Sequence, residues 1–118
     1  MQKTDDDKKN IQAELKEAYC QLYKHLTTSY WYASTIQDKD RIRGLADSIY
    51  EILNEMDIDE IKARTHEYQE MKQNIAGLNK KLDDFKKEVD KIIHVITVSQ
   101  NVCQGISRVI ETAGKVLI

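Results

Sequence analysis

The chain contains no proline and only four glycines, Gly44, Gly77, Gly105 and Gly114, in 118 residues. Hairpins and short strands rely on those residues for their tight turns, so their scarcity points away from a sheet and toward long helices. Cysteine is equally sparse. Cys20 and Cys103 are too few for a disulfide scaffold, fit a reducing compartment, and are expected to act as buried small hydrophobes. No charge of one sign dominates. A formal net charge of −2 leaves no basic footprint of the kind that carries most nucleic-acid affinity, so no nucleic-acid partner is expected. The residues after Met1 include Asp5, Asp6 and Asp7 and hold no apolar core of a secretory signal. The most apolar stretch, from Ile92 to Ile118, is interrupted by His94, Gln100, Asn101, Gln104, Arg108, Glu111 and Lys115, which excludes a simple membrane-spanning helix. A cytoplasmic protein is the expectation, with contact to a membrane surface a less favoured alternative.

Chemical motifs are missing as well. His25, His66 and His94 are dispersed, and none follows a glutamate at the three-residue spacing of a carboxylate-bridged metal site. His66 and Glu70 share a helical face but have no second ligand pair. There is no glycine-rich phosphate loop, nucleophile elbow or zinc-binding cysteine cluster. No catalytic, cofactor-binding or metal residue is therefore assigned, no cofactor is expected, and the chain is not expected to be an enzyme.

What is present is apolar periodicity. Charged residues make up 32% of the chain and hydrophobic ones 41%, the balance of apolar stripes alternating with solvated faces. The length is that of one domain, 1–118. A first helix is predicted over residues 5–36, with Ile11, Leu15, Ala18, Tyr19, Leu22, Leu26, Tyr30, Ala33 and Ile36 on one face. The step from Ile36 to Ile42 breaks that phase, placing a turn or kink at residues 37–40. A second helix over 40–56 carries Ile42, Leu45, Ile49, Ile52, Leu53 and Met56. Asp57 with Glu60 then resembles a capping box, so a third helix starts near residue 58 and runs to 117.

The third segment has the most regular pattern. One seam position holds Ile61, Tyr68, Ile75, Leu82, Val89, Ile96, Cys103, Ile110 and Leu117. The other holds Arg64, Met71, Leu78, Phe85, Ile92, Ser99, Ile106 and Ala113, so every seam site but Arg64 and Ser99 is apolar. If a break interrupts this helix, Gly77 with Asn79 is its expected place. Charges from Lys80 to Lys91 read as a solvated coiled-coil face, since lysines and carboxylates interleave.

Residues 1–60 hold 8 basic and 13 acidic side chains and residues 61–118 hold 10 and 7, so the halves attract. That asymmetry favours folding one half antiparallel onto the other, as orientation more than stability. The expected fold is all-α: an antiparallel helical bundle or coiled-coil hairpin of three to four long helices.

Two surfaces look unfinished. The position before each first seam residue changes from Glu60, Glu67, Asn74, Lys81 and Glu88 to Val95, Val102, Val109 and Val116. A three-position apolar face needs more cover than one neighbouring helix gives. On the first helix, the small residues Ala13, Cys20, Thr27 and Ser34 line the side opposite the core, with Trp31 beside them; either a second helix approaches there or the face is simply exposed. The interface candidates are Val95, Val102, Val109, Val116, Ile106, Ile110 and Trp31. They imply a non-catalytic protein–protein interaction module, such as an adaptor, inhibitor, immunity-type or assembly protein. Its partner would be another protein or a second copy in a homo-oligomer. The alternative is a membrane-acting helical protein, such as a component of a pore-forming system, in which residues 92–118 lie on lipid.

Overall fold

The structure, a computed structural model, describes residues 5–56 and 65–116, with side chains described over 12–56 and 69–115. Within them the chain forms four helices: α1 (Asp5–Tyr30), α2 (Ile36–Met56), α3 (Thr65–Ile92) and α4 (Ile96–Val116). Each packs on its two neighbours in the cyclic order α1, α2, α3, α4. Cross-helix pairs fix the directions. Tyr23 of α1 meets Tyr50 of α2, with ring centroids 6.3 Å apart. Glu55 at the end of α2 meets Asn74 early in α3, Arg41 at the start of α2 meets Glu88 late in α3, and Lys115 at the end of α4 meets Glu14 in α1. Every neighbouring pair is antiparallel, as an up-down-up-down bundle requires.

The core follows the stripes. Leu15, Ala18, Tyr19, Leu22 and Leu26 of α1 are buried, as are Ile42, Leu45, Ile49 and Ile52 of α2 and all seven seam residues from Met71 to Ile92 of α3. Leu53 and Met56 are partly buried against them. Ile11, Ile61, Arg64, Tyr68, Leu117 and the Asp57 cap lie outside the described side chains.

α2 ends at Met56, where the pattern ends it, but two other breaks fall elsewhere than the sequence pattern places them. α1 ends at Tyr30 and α2 begins at Ile36, so the turn spans residues 31–35 and not 37–40. The cause is a cap. Thr35 Oγ1 accepts a hydrogen bond from the Asp38 backbone N–H at 3.1 Å, which satisfies one of the unpaired donors in the first turn of α2. Ile36 is then the first residue of a helix and not the last of a stripe, and it is 75% exposed.

The second break is at residues 93–95. Gly77 sits inside α3, where one missing side chain weakens a helix but does not end it. At the true break Ile93 forms an isolated antiparallel bridge with Ala33 of the first turn, joining the two connections side by side at one end of the bundle. Leaving the helix for three residues also resets the register. The core face of α4 is Ser99, Val102, Ile106, Val109 and Ala113, while Ile96 is exposed and Cys103 and Ile110 are half-buried. Val102 and Val109 have moved from beside the seam into it.

This overturns part of the expected interface. Val102, Ile106 and Val109 are wholly buried by their own chain. No partner is needed to cover them, because the register shift turns an apparently three-position face into a two-position one. Ile110 packs at the edge of the same core, and the Val116 side chain is outside those described. The small-residue side of α1 is largely open: Ala13 and Thr27 are exposed and Cys20 is half-buried, while Ser34 falls in the turn after α1 and is exposed. The close approach uses the opposite partner, Gly105 of α4, where a Cβ would lie 3.1 Å from Leu22 Cδ1.

Candidate functional site

With Val102 and Val109 absorbed into the core, the remaining exposed apolar residues are not scattered. Trp31, Tyr32, Ile36, Val95 and Ile96 are five of the six large exposed hydrophobic side chains among the described residues. Trp31, Tyr32 and Ile36 belong to the α1–α2 connection and its first helical turn, and Val95 and Ile96 to the α3–α4 connection. The Ala33–Ile93 bridge holds these connections together, so the five residues share one end of the bundle. Trp31 and Ile36 are 75% exposed and Ile96 is 71%. The sixth residue, Tyr50, lies on α2 against Tyr23.

The backbone explains why these residues cannot retreat inward. A turn of five residues reverses the chain tightly, with backbone hydrogen bonds from Trp31, Tyr32 and Ala33 N–H to Thr28, Ser29 and Tyr30 carbonyls. Such a turn leaves room for one inward side chain, and Ala33 takes it. Trp31 and Tyr32 are left pointing out. Trp31 stands edge-on to Tyr30, with centroids 5.4 Å apart. The Lys39 ammonium lies 5.2 Å from the Tyr30 ring and 6.0 Å from the Trp31 ring, within cation–π range.

Apart from the exposed His94 in the α3–α4 connection, the cap holds no ionisable acid or base of the Asp, Glu, Lys or Arg kind. No Asp, Glu, Lys or Arg occurs between His25 and Gln37 or between Ile92 and Ser107, in a chain where 32% of residues are charged. Charges begin only behind it. Asp38, Lys39, Asp40 and Arg41 follow in α2, and Asp90 and Lys91 precede it in α3. Several of these are engaged. Arg41 pairs with Glu88 and lays its guanidinium 5.2 Å from the Phe85 ring centroid. The hydrogen bond from Arg41, then its charge, holds the Glu88 carboxyl below the usual carboxylate range. Asp90 accepts a hydrogen bond from Ser99 Oγ at 2.8 Å, tying the end of α3 to the first turn of α4. The cap also gathers two helix C-termini and two N-termini, so the helix dipoles largely cancel there.

A concavity lies on the flank. A groove of about 300 Å³ opens between α2 and α3 where Gly77 supplies no side chain, over Ile52 and Leu78 and between Glu51 and Lys81. Its polar groups are partly paired: Asn74 Nδ2 donates to both Glu55 carboxylate oxygens at 3.2 and 3.3 Å. Among the described residues no cluster of three or more His, Cys, Asp and Glu side chains is arranged to hold a metal ion. Both cysteines are unpaired thiols. Burial, then the Asp90 carboxylate, raises the Cys103 thiol pKa, with Lys86 opposing.

Of the sequence candidates, Trp31 and Val95 lie in the cap, while Val102, Ile106 and Val109 are core and Ile110 is at its edge. Tyr32, Ile36 and Ile96 are not among the sequence candidates. A signal for them exists in the long charge-free interval around each turn. None of the described helices is long and apolar enough to cross a membrane. No protein-family model, curated protein or solved structure matches this chain.

Proposed function

We propose that this chain is a non-catalytic helical interaction module whose working surface is the uncharged cap formed by Trp31, Tyr32, Ile36, Val95 and Ile96. One observation carries the reading: five of the six large exposed hydrophobic side chains among the described residues concentrate at one end of the bundle, in segments that hold no Asp, Glu, Lys or Arg. Contiguous exposed apolar patches mark contact sites, and depletion of charge with enrichment of Trp and Tyr is the composition of an interface centre. Trp31, Ile36 and Ile96 contribute little to the bundle's own stability, since each is mostly exposed. Docking to an apolar surface gives them a role.

A photo-crosslinking amino acid placed at residue 31, 36 or 96, and at exposed Glu51 as a control, tests this in cells producing the protein. Adducts to a common species from the three cap positions and none from residue 51 is the expected result. Adducts from residue 51 alone, or none from the cap, remove the reading. A lipid surface is the second class of occupant. The observation favouring it is the pairing of Trp and Tyr with bare aliphatic side chains at the narrow end of a body 46 Å long.

A further inference from the structure

We propose that the α3–α4 connection is a hinge that opens into continuous helix, and that two copies of this chain exchange α4 through it. The exchange is independent of what docks at the cap. The fold breaks at residues 93–95 where the apolar pattern does not: Phe85, Ile92, Ser99 and Ile106, like Val89, Ile96, Cys103 and Ile110, keep a seven-residue spacing straight through the connection. Neither helix end carries a local signal. No glycine lies between Gly77 and Gly105 and the chain has no proline, and no described residue has a positive φ, so α3 ends without the left-handed cap that commonly closes a helix. The Val95 carbonyl accepts the first bond of α4, from the Ser99 N–H at 2.9 Å, which puts Val95 at the N-cap position. Its side chain can accept nothing from the first-turn N–H groups, whereas a continuous helix bonds them to carbonyls four residues back.

The neighbouring connection is secured differently. Thr35 caps α2, and three backbone bonds hold the turn after α1, so the α1–α2 hairpin stays closed while α4 moves. What keeps the α3–α4 hairpin shut is the packing of α4, whose Val102, Ile106 and Val109 are wholly buried. A second copy supplies the same berth. When each α4 continues in line with its own α3, it enters the place vacated in the other bundle, and contacts such as Ser99 with Asp90 and Lys115 with Glu14 are remade between copies. The two forms then differ in the hinge, where helix geometry favours the straight form and the Ala33–Ile93 bridge opposes it, and in the entropy of association. Concentration decides between them.

Spin labels at the exposed positions 80 and 111, introduced by Lys80→Cys and Glu111→Cys in a full-length chain carrying Cys20→Ser and Cys103→Ser, read the hinge directly. Labelled chains are diluted into unlabelled protein so that only distances within one chain are measured. In the hairpin the two sites lie on neighbouring helices whose axes are about 8–10 Å apart, whereas a continuous helix from 80 to 111 spans roughly 46 Å at about 1.5 Å per residue. The protein is unfolded in urea and refolded over a range of concentrations, and light scattering after gel filtration measures the dimer. The expected result is a dimer whose share rises with concentration and whose labels read the long distance, beside a monomer that reads the short one. Val95→Asp supplies the missing cap and is expected to raise the dimer dissociation constant roughly thirtyfold, an ordinary cap counted at each of two hinges. Val95→Ala removes a β-branched side chain from the straight helix and is expected to shift the equilibrium the other way. Circular dichroism checks that both variants keep their helices. Three results overturn the inference: a chain that is monomeric at every concentration, a dimer that keeps the short distance, or a dimer share that Val95→Asp leaves unchanged. None of them touches the docking reading, which the crosslinks from the cap test separately.

Discussion

Tyr19 is the largest fully buried side chain among the described residues, and its hydroxyl crosses the core from α1 to the diagonal helix α3, donating to Asn79 Oδ1 at 2.7 Å. A polar pair inside an apolar core contributes little net stability when satisfied but costs heavily when half of it is removed. It also fixes the register of two helices that otherwise barely touch, because a shift of either by one turn leaves both groups unpaired. Tyr19→Phe is therefore expected to destabilise the fold by about 1–3 kcal/mol in urea denaturation, through the orphaned Asn79. Tyr19→Phe combined with Asn79→Leu should cost less than the two single changes added together. The same residue sets an alkaline limit. Burial raises the Tyr19 pKa above its ordinary value of 10.0, the Asn79 hydrogen bond only partly opposing this. The folded state thus holds the proton that the unfolded chain releases near pH 10. Stability from this group is present in full below that pH and is lost as pH rises beyond it, and Tyr19→Phe should flatten that decline.

Glycine separates two kinds of helix contact. At Gly77 and Gly44 an added Cβ meets nothing within 4 Å, whereas at Gly105 it meets Leu22 Cδ1 at 3.1 Å and the Leu22 Cα and Cβ at 3.6 Å. Gly77→Ala is expected to raise stability by about 0.5–1 kcal/mol, from reduced freedom of the unfolded chain alone. Gly105→Val should lower it by about 1–3 kcal/mol, because Leu22 is fully enclosed and has nowhere to retreat. Thermal melts of the two variants should move in opposite directions. These elements also show which parts of the fold the sequence disclosed. The stripes of α1, α2 and α3 were legible because three- and four-residue spacings record which side of a helix is buried. The turn at 31–35 is hidden in the sequence, although Thr35 followed by Asp38 is a cap signal, because the apolar stripe of α1 continues in phase through Ile36. The break at 93–95 has no glycine or proline to mark it. There the heptad pattern is ambiguous by construction, since Ile96 and Val95 both fit a seam and only the reversal of the chain decides that Val102 and Val109 go inside.

For the molecule as a whole, apolar content alone does not distinguish core from exposed surface: of the valines before each seam residue, Val102 and Val109 are core while Val95 is exposed. Hydrophobic residues report where water is excluded, but whether by the same chain or by another body depends on the turns that set each helix's rotation. The two assignments make opposite demands on stability. Val109 has no exposed surface, and Val109→Asp places an unpaired carboxylate among apolar neighbours; it is expected to cost more than about 3 kcal/mol and to abolish the cooperative melt. Ile36 and Ile96 are already mostly in water, so Ile36→Glu and Ile96→Glu should each leave the denaturation midpoint within about 0.5 kcal/mol of the parent. Chemical denaturation of the three variants side by side checks the assignment. If the cap substitutions unfold the chain while Val109→Asp is tolerated, the rotation of α4 described here is wrong, and Val102 and Val109 return to the surface as contact residues.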